Sequence, residues 1–363
     1  MFEADLLRFA DGGRLAADGV PFEILHEAIA DVQSGRPWRD VWEDVSDRLE
    51  AHAEEARQRG AAVSAGELLW QAALAAHVSQ LHSYEDLNRR ERAEERRRVL
   101  YQRAIVSQPV PGHKIALMSA GIETSGYLRL PPQAMSARTR PAPCLILLGG
   151  LDSTKEESLR FENYCLARGM ATFVFDGPGQ GETRSAAPLG SSDFLAWIHE
   201  AVAVVSAHPD IDRDRIGILG RSMGGHYALR AAGDVPGIRC CVAWSPLGDC
   251  RDWDRYPEAI KWGFRYAVGM PDMLEARKAV EAELVLGSAL SRISVPTLVT
   301  HGRRDAIVPP DQQDEMRAGS ANSVHYEMVS AGNHCCHNLA FLMRPMMADW
   351  AAAQLQASAL EAD

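Results

Sequence analysis

Positive charge is in deficit along this 363-residue sequence: 38 lysines and arginines against 49 aspartates and glutamates leave a formal charge of −11. Nucleic-acid affinity comes largely from Lys and Arg clustered on phosphates, so the balance argues against nucleic acid and favours a small-molecule or protein partner. The opening MFEADLLRFADGGRL lacks a basic segment leading into an apolar one. No later run reaches the roughly 18 uncharged apolar residues of a membrane-spanning helix. The expectation is a cytoplasmic protein that makes no membrane contact. Also missing is any C-x-x-C spacing. The seven cysteines, with adjacent pairs at Cys240–Cys241 and Cys335–Cys336, read as reduced thiols in the core, with no zinc or other metal site. No repeat and no low-complexity segment is present, and the length suffices for a core that needs neither disulfide nor metal.

What is present falls into two parts. Residues 1–108 read as helix throughout, forming an N-terminal helical domain. Ser64-Ala65-Gly66-Glu67 has the spacing of a capping box opening the apolar run LLWQAALAAHVSQLH, and DLNRRERAEERRRVLYQRA mixes acids and bases as a solvated helix face does. Residues 109–363 change pattern. KIALMS and TSGYLRL predict a hairpin, PPQAMSARTRPAP a Pro-rich turn, and CLILLGG a buried strand ending in glycines. Strand and helix then alternate through ATFVF, RIGILG, IRCCVAW and PTLVT. Such alternation needs parallel strands joined by helical crossovers, an α/β doubly wound sheet that binds ligands at the carboxyl ends of its strands. The strandless stretch 250–293 is too long for a simple connection and reads as a helical lid.

Gly220-Arg221-Ser222-Met223-Gly224 fits G-x-S-x-G between a predicted strand and a predicted helix, the context of a nucleophile elbow. A serine hydroxyl is a poor nucleophile near neutral pH and needs a base, and the base needs a group that fixes its tautomer. In this fold the order is serine, acid, histidine. Asp305 lies in the loop after PTLVT, whereas Asp311 and Asp314 fall at a helix start where acids are ordinary caps. His334 follows the next strand in Ser330-Ala331-Gly332-Asn333-His334; His337, a turn later, is left to packing or substrate contact. The N–H of Met223, at a helix N-terminus, is one oxyanion donor, and the loop after CLILLGG supplies the other from Gly150 or Leu151. No cofactor is called for.

These residues resemble the α/β-hydrolase superfamily over residues 110–350, with DGPGQGET (Asp176–Thr183) similar to its D-x-P-G-x-G loop. More narrowly, LLGGLDSTKEES, the helical N-terminal domain and GNHCCHN resemble the FrsA-like esterase group. That group includes dihydroxypseudooxynicotine hydrolase and fungal polyketide-shortening enzymes, which cleave carbon–carbon bonds in aryl β-diketone-like substrates. The resemblance implies a Ser222–Asp305–His334 triad, oxyanion donors at Leu151 and Met223, N-terminal helices over the active site, and a homodimer. It implies a carbon–carbon hydrolase, with a carboxylesterase or lactonase as the alternative on the same triad and a non-catalytic binding protein on the scaffold as a remote one. Asp249, Asp252 and Asp254 are the acids near the elbow that could steady a carbon leaving group, Asp249 lying nearest the strand end; a helix cap is the plainer reading of it. Trp244, Trp253, Tyr256, Trp262, Phe264, His77, His82 and Tyr84 are candidates for a flat, apolar pocket, with core packing as the competing role. Lys155-Glu156-Glu157 reads as an exposed helix start.

Overall fold

The computed structural model describes residues 13–81, 83–132, 141–251 and 253–357. The chain forms two units, Met1–His113 and Lys114–Asp363. His82, Asp252 and most of the expected Pro-rich turn lie outside the described residues.

The first unit is a set of helices, α1 (Arg14–Asp18), α2 (Phe22–Gln33), α3 (Trp38–Gln58), α4 (Ala62–Gln80) and α5 (Leu87–Ile105). On α3, Trp38, Val41, Trp42, Val45 and Leu49 recur at helical spacing and are all buried, the apolar stripe that packs a helix onto a neighbour. The polar groups caught there are bonded: Trp38 Nε1 donates to the Val78 carbonyl at 2.8 Å, and Ser46 Oγ to the Ala72 carbonyl at 2.9 Å. Two expectations are corrected. Helix α4 begins before Ser64, with Ala61 as its N-cap and no side-chain cap, so Ser64 sits inside the first turn. The charged run on α5 is only partly solvated. Arg89 pairs with Asp40 and Glu43 of α3 at 2.6 and 2.5 Å, and Arg96 with Asp47 and Glu50, while Arg90 and Arg97 are buried. Charge alternation along one helix does not reveal the complementary acids on another.

Among the described residues eight strands, all in the second unit but for the first two residues of β1, form one sheet in the order β1-β2-β4-β3-β5-β6-β7-β8. They are β1 (Gly112–Ser119), β2 (Ile122–Arg129), β3 (Ala142–Leu148), β4 (Ala171–Phe175), β5 (Ile211–Arg221), β6 (Ile238–Trp244), β7 (Thr297–Gly302) and β8 (Val324–Val329). From β4 to β8 all pairings are parallel; β2 meets β4 antiparallel. Every residue of β3 and β4 is buried, as expected of parallel strands covered on both faces. The crossover helices include α6 (Leu159–Leu166), α7 (Phe194–Ser206), α8 (Met223–Asp234) and, between β7 and β8, α12 (Gln312–Ala318), while α13 (Ala340–Ala357) follows the last strand; α6 packs with α13, and α7 with α8. After β3 the chain steps outward to β4 and then returns to the other side of β3 as β5. The strand order reverses there, which leaves a crevice at the carboxyl ends of β3 and β5. The stretch 250–293 holds α9 (Glu258–Val268), α10 (Met273–Glu283) and α11 (Ala289–Arg292). The ends of this excursion are pinned together: the Leu286 N–H donates to Asp249 Oδ1 at 2.7 Å and the Cys250 N–H to the Leu284 carbonyl at 3.1 Å.

Candidate active site

Strand β5 becomes helix α8 across one residue, Ser222, at φ 55° and ψ −116°. A non-glycine residue held there stores about 1–3 kcal/mol of strain, and its neighbours enforce it. The Ser222 N–H donates to the Trp244 carbonyl at 2.8 Å, and its carbonyl accepts from the His226 N–H at 3.2 Å. The flanking glycines are required by contact: a Cβ on Gly220 would stand 1.9 Å from the Gly224 carbonyl oxygen, and one on Gly224 2.4 Å from that of Gly149. A Cβ on Gly150 would lie 3.4 Å from the Ser222 Cβ, so the loop after β3 runs beside the serine. Among the described residues no hydrogen bond takes the N–H of Met223, at the start of α8, or that of Leu151. Met223 follows Ser222 directly and Leu151 follows Gly150, so both unused donors belong to the segments that meet at the elbow, and an N–H of this kind is what stabilising a developing oxyanion requires.

The loop after β7 turns Asp305 inward. Its Oδ1 accepts the N–H groups of Ile307 and Val308, each at 2.8 Å, and its Oδ2 lies 2.8 Å from His334 Nδ1 and 3.3 Å from His301 Nε2. His301 Nε2 also faces the Val308 carbonyl at 3.1 Å. A carbonyl only accepts, so that nitrogen carries a proton and donates. Burial pushes His301 down from the ordinary histidine range, against the opposing pull of Asp305. His334 moves the other way: burial disfavours its charge, but the adjacent Asp305 carboxylate outweighs burial and holds it well above 6.5. Asp305 is correspondingly held below the usual carboxylate value, its partners overcoming its own desolvation.

The His334 loop is anchored to the strand that anchors Ser222. After His334, Cys335 and Cys336 take φ of 53° and 46°; the Cys335 N–H donates to Ser245 Oγ at 3.1 Å, and Trp244 Nε1 donates to the Cys335 carbonyl at 2.6 Å. Trp244, at the end of β6, therefore holds Ser222 through its main chain and the His334 loop through its indole. Its ring is buried near Phe161 and His337. Trp253 and Tyr256 are likewise buried, both against Phe264, with the Tyr256 hydroxyl accepting from Gln312 at 3.1 Å. Asp249 holds Leu286 and meets Arg251 at 3.1 Å, and Asp254 meets Arg277 at 3.2 Å. In the first unit His77 is buried beside Gln80.

Sequence reasoning passed over the residues that hold the loop after β3. Lys155, Glu156 and Glu157 are buried, not exposed. Lys155 Nζ pairs with Asp176 at 2.9 Å and Glu182 at 3.0 Å, and Glu157 accepts from the Thr154 N–H at 3.0 Å. Gln180 and Arg221 reach the same loop, at Gly149, Gly150 and Ser153. The one signal available was that DGPGQGET and LDSTKEES each follow a parallel strand of the same crevice. Among the described residues no group of three or more His, Cys, Asp or Glu is arranged to hold a metal ion.

Residues 157–337 match the prolyl oligopeptidase family. The chain is 36% identical over 338 residues to 2,6-dihydropseudooxynicotine hydrolase of Paenarthrobacter nicotinovorans, covering 93% of this chain and 90% of that one. It is 32% identical over 269 residues to the hydrolyase ccsE of Aspergillus clavatus, covering 67% of this chain and 59% of ccsE. The crystal structure of 2,6-dihydroxy-pseudo-oxynicotine hydrolase superposes with a TM-score of 0.87 at 36% identity, over 95% of this chain and 96% of that one. AbyA5 shares the fold, with a TM-score of 0.70 at 19% identity. This chain belongs to the family of α/β-hydrolases that contains 2,6-dihydropseudooxynicotine hydrolase.

Proposed function

We propose that this hydrolase cleaves the bond between an acyl carbon and its neighbouring carbon in an aryl ketone, β-diketone or polyketide-like substrate, through an acyl-enzyme on Ser222. The observation that carries the reading is the likeness to 2,6-dihydropseudooxynicotine hydrolase along nearly the whole chain, together with an Asp305–His334 couple at 2.8 Å anchored through Trp244 to the elbow serine. Neutral His334 takes the proton as Ser222 Oγ attacks the ketone carbonyl. The resulting oxyanion lies against the Met223 N–H and the loop at Gly150–Leu151. Collapse expels the carbon leaving group as an enolate or electron-rich arene, which takes the proton from His334. Water, deprotonated by His334, then releases the carboxylic acid and restores Ser222. Helices α9 and α10 serve as a lid over the strand ends. Seven buried, unpaired thiols support a reducing, cytoplasmic setting, and the enzyme acts as a homodimer, a state that light scattering reads directly.

Wild type and Ser222→Ala are each incubated with an aryl β-diketone and an aryl ester of similar shape in heavy-oxygen water, and products are weighed by mass spectrometry. The expected result is diketone cleavage by wild type alone, with heavy oxygen in the acid. Cleavage of the ester only would make the protein a carboxylesterase; diketone cleavage by Ser222→Ala would remove the serine from the mechanism.

A further inference from the structure

The loop after β3 carries the donors that an oxyanion needs, yet it begins with two glycines, whose peptide planes are the freest in the chain to rotate. One buried side chain fixes them. Gln180, 2% exposed, donates from Nε2 to the Gly149 carbonyl at 2.8 Å and to the Gly150 carbonyl at 2.7 Å, while its Oε1 accepts the Gly177 N–H at 3.0 Å. The three partners fix the orientation of the amide, since two carbonyls demand the nitrogen and one N–H the oxygen.

A trans peptide points its C=O and N–H in opposite directions. Holding the Gly149 and Gly150 carbonyls on one nitrogen therefore turns the N–H groups of Gly150 and Leu151 the other way, side by side, and successive N–H groups so aligned form an anion-binding concavity. Neither N–H is taken by a hydrogen bond among the described residues. Gly150 itself abuts Ser222. Resting on the serine-hydrolase reading above, we propose that Gln180 is the positioning residue of the oxyanion hole: by clamping two consecutive carbonyls it keeps the N–H groups of Gly150 and Leu151 aimed at the reacting oxygen. It touches no substrate and moves no proton.

The clamp is tested with Gln180→Glu and Gln180→Met. The carboxylate keeps the acceptor for Gly177 but sets oxygen against two carbonyl oxygens; Met fills similar space with no donor and no added charge. Near-UV circular dichroism and thermal melting confirm that each variant is folded. Expected for both is a fall in kcat of about 10²–10³-fold, the size found when one oxyanion donor is lost, with KM within a few-fold. The readout that a merely structural role would leave alone is a pair of aryl inhibitors, a trifluoromethyl ketone that forms an oxyanion adduct with serine and its methyl ketone analogue. The preference of wild type for the former should shrink by about 100-fold in the variants, following the same loss. Retention of kcat within threefold by folded Gln180→Met, or equal weakening of both inhibitors, overturns the clamp. Ser222→Ala is run in parallel: unchanged variants beside a dead Ser222→Ala sink the clamp alone, whereas an active Ser222→Ala sinks the serine reading and the clamp with it.

Discussion

Two buried carboxylates sit at strand ends of the same sheet and do opposite things. Asp176, just past β4, binds Lys155 twice, through the backbone N–H at 2.8 Å and through Nζ at 2.9 Å. Asp305, past β7, binds two imidazoles and two backbone N–H groups. Around Asp176 every charge is locked: burial works against Lys155, but the surrounding acids outweigh it and push it up, while Lys155 helps hold Glu182 down at about 2. Around Asp305 the strongest partner is a group whose ordinary titration falls near neutrality. Burial and pairing alone therefore do not mark a catalytic acid. The partner's chemistry decides whether the pair holds a loop in place or handles a proton.

The comparison breaks most sharply at Asp305→Asn. The amide oxygen still accepts from Ile307 and Val308, but its NH₂ cannot accept from His334, so kcat should fall about 10⁴-fold with the fold retained. The pH profile sharpens the point. His334 must be neutral to take a proton, so kcat/KM rises with pH through its pKa, and because Asp305 raises that value the acid limb should lie above 6.5 in wild type. In Asp305→Asn the limb should move down; an unmoved limb would assign it to another group. At the other carboxylate, Lys155→Met strands a buried acid, and the urea midpoint should report a loss of about 3–5 kcal/mol. A loss below about 1 kcal/mol would place Asp176 in contact with water. The smallest effect belongs to His301→Gln, which perturbs the donor on Asp305. Less stabilised by that bond, Asp305 pulls harder on His334, so the acid limb should climb by a fraction of a unit with kcat within tenfold. A downward shift would mean that His301 acts as a base and not as a donor.

The three groups proposed to react could be picked out of the sequence because each follows a strand and stands in a short glycine-bearing loop: Ser222 after RIGILG, Asp305 after PTLVT, His334 after the strand that ends at Val329. The alternation of strands and helices was legible for the same reason, since parallel buried strands are continuous apolar runs. What holds those groups in place was not. Lys155 reads as an exposed helix start because its partners, Asp176 and Glu182, arrive only when β4 lies beside β3. Gln180 is 30 residues from the Gly150 carbonyl that it clamps. His301 looks like a strand residue, and only the turn at Asp305 and Val308 gives its ring two acceptors. The Ser64 box fails from the opposite cause: the tetrapeptide is right, but the helix had already begun at Ala62.

The cysteines carry one more consequence. All seven thiols are buried, and all belong to the unit Lys114–Asp363. Burial pushes Cys144 and Cys165, in the sheet and on α6, above the ordinary thiol range, which keeps them protonated and unreactive while the fold is closed. A pulse of an alkylating reagent thus marks only molecules in which this unit has opened, and is blind to the helical unit. Modification of Cys335 and Cys336, next to His334, ahead of Cys144 in the central strand would time the fraying of the histidine loop separately from the collapse of the sheet. The chain carries its own clock for the order in which its sheet-bearing unit comes apart.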